Sequence, residues 1–186
     1  MILLIAGIAL WYAGHFFKRL LPGVREGLGD RGKGVAALLI GAGLVLMVLG
    51  YRGASFAFVY APPLWGRHLN NLLMLVAVIL LGMGSSKGKM RAWLRHPMLT
   101  GVLVWAAAHL LVRGDRASLV LFGSVGVWAI LEMVVINAKD GPWSRPEPGS
   151  LGGDVRLIVI SLVIFAVLTA IHTWLGYYPF PGPFPA

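Results

Sequence analysis

ASLVLFGSVGVWAILEMVVI, residues 117–136, is an unbroken run of twenty residues with a single charged side chain, Glu132. At 1.5 Å of rise per residue a helix of that length is about 30 Å long, the thickness of bilayer hydrocarbon. The rest of the chain repeats the pattern. Apolar runs at 2–21, 34–51, 68–85, 97–112 and 157–175 join it to give six candidate spans.

Composition agrees with that reading. Of 186 residues 58% are hydrophobic and 12% charged, and the mean hydropathy is +0.81. A soluble domain of this size could not hide so much apolar side chain. The expectation is an all-α fold, a polytopic transmembrane helix bundle of about six spans, forming a single domain over residues 1–186. The first span has no basic n-region and no small-residue cleavage site, and Lys18 and Arg19 follow it. It reads as an uncleaved first helix.

The net charge of +9 would suggest nucleic acid in a soluble chain. Here the basic residues fall in short segments between apolar runs, where they act as topology signals beside anionic lipid, so no nucleic-acid partner is expected. Alternate connections carry twelve Lys and Arg on one side and four on the other. By the positive-inside rule both termini face outward. The fourth span is short, because Arg113, Gly114, Asp115 and Arg116 interrupt it. Residues 145–153 are a turn-rich connection, and 177–186 alternate aromatics with proline, an outer tail placed along the interface.

With no cysteine in the chain, disulfides and thiolate ligation are excluded. Any metal or haem iron must be held by His, Met, Tyr or carboxylate. Imidazole is well suited to a buried site, since it is neutral near pH 7 while offering one donor and one acceptor. Helix rise places His109 roughly 20 Å and His172 roughly 22 Å from the inner ends of their spans, in the outer half. His15 falls near the inner side, with Glu132 a turn above the inner end of its own span. His68 and His96 mark span ends.

Trp105, His109 and Arg113 are four residues apart and share one helix face, as do Trp128 and Glu132. A face carrying Trp, His and Arg meets lipid poorly and lines an internal pocket well. The plainer alternative for each histidine is a neutral ring bonded to a neighbouring helix. Glu132 would pair with Arg95, His96 or Arg156, or stay protonated. Asn70 and Asn71 read as helix-start or interhelical hydrogen-bonding groups, and the Gly-Ala-Gly at 41–43 as a close-packing surface.

The block Arg95-His96-Pro97-Met98-Leu99-x-Gly101, then Trp105, His109-Leu110-Leu111, Gly114-Asp115, Leu121-Phe122-Gly123 and Trp128-Ala129, resembles the NnrU family of bacterial membrane proteins. Ala13-Gly14-His15 fits the same family. The resemblance implies a bacterial inner-membrane protein connected with denitrification and nitrogen-oxide metabolism. The family is similar to plant zeta-carotene isomerase, which implies a b-type haem held by paired histidines and polyene or lipid isomerisation as a possible chemistry. Carried over, the ligands are His15 and His109, with Trp105, Arg95 and His96 beside the cofactor. Ala106 stands where the isomerase pattern has a cysteine. Helix rise puts His15 and His109 about 13 Å apart in depth, so His172 stands as the alternative partner of His109.

Arg-His-Pro-x-x-x-Gly also resembles the S-adenosylmethionine-binding motif of membrane methyltransferases, which would use Arg95 and His96. Residues 137–156 lack the acidic helical segment that such enzymes carry. Besides membrane lipids, the implied partners are an apolar substrate or a membrane reductase that the chain stabilises or matures.

Overall fold

The computed structural model describes residues 1–180; part of the proline-rich tail, 181–186, lies outside the described residues. Among the described residues seven α-helices follow one another: α1 Ile2–Leu20, α2 Pro22–Gly27, α3 Asp30–Arg52, α4 Gly66–Met83, α5 Pro97–Leu110, α6 Arg116–Asp140 and α7 Leu151–Trp174. A single 3₁₀ turn, Lys89–Ala92, lies between α4 and α5. Among the described residues no strand forms; Phe58 with Asp115 and Gly88 with Ser150 are isolated bridges.

Local chemistry sets the boundaries. Pro22 and Pro97 each occupy the first turn of a helix, where a missing N–H is harmless. Asp115 caps α6 by accepting from the Ser118 N–H, and Ser150 caps α7 by accepting from the Gly153 N–H. That second cap starts α7 six residues before the expected span at 157. α6 ends at Gly141, whose φ of +67° suits glycine. The expected short fourth span is α5, which closes at Leu110 rather than 112.

Four helices, α3, α4, α6 and α7, are long and apolar enough to cross a membrane. α5 is apolar but has 14 residues, and α1 carries His15, Lys18 and Arg19 in its last turns. Length and composition thus support four crossings, against the six expected. The surface agrees with lipid contact, since Val155, Val159, Leu162, Val163 and Val167 of α7 are all exposed.

The bundle pairs α1 with α3, α4 with α5 and with α7, and α5 with α6. α1 and α3 meet nearly backbone to backbone. A Cβ on Gly7 would lie 2.6 Å from the Met47 nitrogen, and one on Gly43 would lie 2.8 Å from the Trp11 nitrogen. Gly14 and Gly50 continue the seam against Ile40 and Leu4. Small residues permit this approach, which is how helices gain dispersion contact in lipid. The main core, Leu4, Met47, Ala117, Val125, Trp128 and Ala129, lies where α1, α3 and α6 converge. A smaller one joins Leu80, Met83 and Leu157 of α4 and α7.

All connections alternate between two ends. Val59 and Tyr60 bond to Gly114 at one end, and Ser150 bonds to Lys87 at the other. We call the first the outer end and the second, which carries the larger share of Lys and Arg, the inner end.

Candidate functional site

A cavity of about 760 Å³ opens at the outer end between α3, α4, α5 and α7. Each helix contributes residues at helical spacing. α4 presents Arg67, Asn70, Asn71 and Met74, at i, i+3, i+4 and i+7, and α7 presents Phe165, Leu168, Thr169 and His172 in the same pattern. α3 adds Val48, Tyr51 and Arg52. His109 of α5 and Arg113 just beyond it complete the lining on that side, and Tyr177 to Phe180 form another wall.

His109 and His172 therefore share one cavity, on helices that are not consecutive. Nδ1 of His109 donates to the Trp105 carbonyl at 2.9 Å, and Nδ1 of His172 donates to the Leu168 carbonyl at 2.7 Å. A carbonyl can only accept, so Nδ1 carries the proton and Nε2 keeps its lone pair. That is how a ligating imidazole is held by its outer hydrogen bond. The His109 ring is stacked on Phe122 at 4.5 Å and tilted against Trp105 at 4.9 Å, which limits its rotation.

Around the mouth, Arg113 donates Nε and Nη2 to the Tyr51 hydroxyl at 3.3 and 3.2 Å and lies over the Tyr177 ring at 5.2 Å. Burial alone would lower its pKa, but the Tyr51 hydrogen bonds and nearby Asp115 outweigh this and raise it, so the guanidinium stays charged. Asp115 in turn accepts from the Ser118 N–H at 2.9 Å and the Ser118 hydroxyl at 2.6 Å. Burial pushes its carboxyl up, and the Ser118 bonds with Arg113 more than offset that, leaving it below the ordinary range. Tyr60 donates to the carbonyls of Leu110 and Arg113, tying the turn after α5 to the loop before α4. Asn71 donates to the Pro179 carbonyl at 3.0 Å and fastens the tail.

His15 lies elsewhere. It shares the Nδ1 arrangement, donating to the Trp11 carbonyl at 2.9 Å, but its ring packs on Trp128 at 4.5 Å and on Trp11 at 4.2 Å. It is not among the residues lining the outer cavity. His15 meets α6 at Trp128 and His109 meets it at Phe122, six residues apart, or about 9 Å of rise. The structure thus brings His109 to His172 and does not bring it to His15. α1 and α6 run in the same direction, so the stripe Trp11, His15, Arg19 lies along the stripe Trp128, Glu132. Arg19 pairs with Glu132 at 3.1 Å, in place of the expected Arg95, His96 or Arg156, because α1 rather than the Arg-His-Pro corner covers that part of α6.

Arg95 and His96 sit at the inner corner before α5, away from the outer cavity. His96 bonds through Nε2 to Asn137 Oδ1 of α6 at 2.8 Å, on the surface. Trp105 supports His109 and is not itself a cavity-lining residue. His68 is exposed, as its position at a span end implied. Among the described residues no group of three or more His, Asp or Glu is arranged to hold a metal.

Sequence reasoning missed Tyr51, Arg52, Arg67 and Tyr177 as cavity residues. The signal for one wall was present: Arg67, Asn70 and Asn71 form a polar stripe at helical period that Met74 continues, of which only Asn70 and Asn71 were read above, as helix-start or interhelical hydrogen-bonding groups. A family model described as NnrU protein matches residues 3–179. No curated protein and no solved structure matches the chain.

Proposed function

Because this chain belongs to the NnrU family, we propose that it is a multi-pass inner-membrane protein that holds haem b in the outer cavity between His109 and His172. All six of α1, α3, α4, α5, α6 and α7 cross the membrane in this reading, with the cavity on the outer side. The observation that carries it is the pair of imidazoles in one cavity, each with Nδ1 bonded to a backbone carbonyl and Nε2 left for a ligand.

The residues present fit the group. A cavity of about 760 Å³ falls within the size of small-molecule and cofactor sites. Val48, Met74, Phe165 and Leu168 supply apolar wall for a porphyrin face. His109 and His172 would hold the iron through Nε2; the carbonyls of Trp105 and Leu168 keep each ring in the Nδ1–H tautomer. Phe122 and Trp105 fix the plane of the His109 ring. Tyr177 and Tyr178 screen the site from outer water.

When bound, haem b supplies one-electron redox chemistry whose potential depends on axial ligands and pocket polarity. The chain's own part is to orient the group, exclude water and keep cationic side chains at its edge. A redox role in nitrogen-oxide metabolism linked with denitrification is the reading that family membership supports.

The test is a dithionite-reduced minus oxidised visible spectrum of the protein, purified in mild detergent from haem-supplemented cells. Sharp α and β bands in the wild type, lost in His109→Ala and His172→Ala and kept in His15→Ala, are the expected result. Bands lost in His15→Ala but kept in His172→Ala would transfer the second ligand to His15. A featureless wild-type spectrum would overturn the haem reading.

A further inference from the structure

Three of the residues lining the outer cavity are arginines, Arg52, Arg67 and Arg113, and none of them is an aspartate or glutamate. They come from three separate places in the chain: the last residue of α3, the second residue of α4, and the turn between α5 and α6. Among the described residues none of the three forms an ion pair, since the carboxylate pairs are those of Arg19 and Lys33. Three cations around one hollow repel one another; Asp115 lies near Arg113, and no carboxylate is paired with Arg52 or Arg67 among the described residues.

Topology makes the arrangement sharper. The outer side holds only four basic residues out of sixteen, namely Arg52, Arg67, Arg113 and Arg116. The positive-inside rule works against basic residues on this side, yet three of the four sit around one cavity. Apolar side chains line its depth and the guanidiniums its mouth, with Arg52 and Arg67 exposed and Arg113 half-buried. Asn70 adds a polar atom in the wall, Oδ1, that is buried and has no partner.

We propose that this arginine trio is a carboxylate clamp, which holds the acidic edge of the cavity's occupant at the outer mouth while its apolar body lies inside. The inference rests on the haem reading, in which the two propionates are that edge. Guanidinium and carboxylate match in planar, two-pronged geometry, and such charge-assisted bonds are about twice as strong as neutral ones. Arg113 is pre-positioned by Tyr51, whereas Arg52 and Arg67 close on the ligand from the rim. The clamp also fixes which way round the group enters, acidic edge outward.

The experiment compares two probes on apo-protein in detergent, haem b and haem b dimethyl ester, whose carboxylates are neutralised. Binding is read by titration of the Soret absorbance. Wild type is expected to bind haem b about ten-fold more tightly than the ester, the size of effect one good charge-assisted contact gives. Arg52→Gln with Arg67→Gln, at exposed positions where no packing is lost, should narrow that ratio to about three-fold or less. Equal binding of both probes to the wild type, or an undiminished ratio in the double variant, would overturn the clamp and leave the haem site standing. Binding of neither probe would overturn both.

Discussion

Arg19 on α1 donates from Nε to Glu132 Oε1 on α6 at 3.1 Å, and its Nη1 reaches Asp140 at 3.3 Å. Glu132 is one of the few buried charged residues, with 8% of its surface exposed, and its second oxygen, Oε2, has no partner. Removing the cation leaves a buried carboxylate uncompensated. Arg19→Gln is therefore expected to destabilise the protein by about 3 kcal/mol. Arg19→Gln with Glu132→Gln should recover most of that loss, read as thermal unfolding in detergent. Additive losses in the double variant would show that the two residues do not depend on each other.

The α1–α3 seam gives a matched pair of substitutions. A Cβ at Gly43 would meet the Trp11 nitrogen at 2.8 Å and the Gly7 carbonyl oxygen at 2.9 Å, so the helices must separate. Gly43→Ala should cost about 1–3 kcal/mol by overpacking. Two residues earlier in the same helix, a Cβ at Gly41 meets nothing within 4 Å, and Gly41→Ala should be neutral or slightly stabilising. Equal melting temperatures for the two variants would contradict the seam.

Asp115 gives the expected pH dependence. Its folded carboxyl titrates below the ordinary range, so its contribution is fully present above the unfolded value, about 3.9, and is lost as pH falls through the lower folded value. Asp115→Ala should cost about 1 kcal/mol near neutrality through loss of the α6 cap. The gap in melting temperature between wild type and variant should shrink steadily below about pH 4. A gap independent of pH would exclude the charged cap.

The tail is a wall of the cavity, and one side-chain hydrogen bond, from Asn71 to the Pro179 carbonyl, joins it to α4. Loss of such a bond is worth about 1 kcal/mol, roughly a five-fold change in a rate. Asn71→Leu should speed both haem dissociation and protease cleavage near residue 179 by about that factor while leaving the reduced spectrum unchanged. An altered spectrum would mean that Asn71 supports the ligands directly.

Much of this was legible along the chain, for reasons that differ from residue to residue. Helix length and apolarity are local, so a helix stands where each run lies, four of them long and apolar enough to cross a membrane, with ends shifted by caps such as Ser150 that a hydropathy reading does not weigh. Depth is local too: helix rise set His15 and His109 apart and left His172 as the alternative partner, although the family pattern had paired His109 with His15. Neighbourhood is not local. That α4 lies against α7, and that α1 covers Glu132, depends on how helix surfaces fit together, which spacing along one helix does not express. Arg52 and Arg67 read as topology charges because, singly, that is all an arginine at a helix end is.

The glycine seam closes α1 onto α3 within the first 52 residues, but the histidines of the outer cavity stand on α5 and α7. The α1–α3 pair is complete as soon as α3 has been made, whereas the cavity has no second imidazole until α7 is added. The cavity is therefore a property of the finished bundle, closed only by the last helix of the chain.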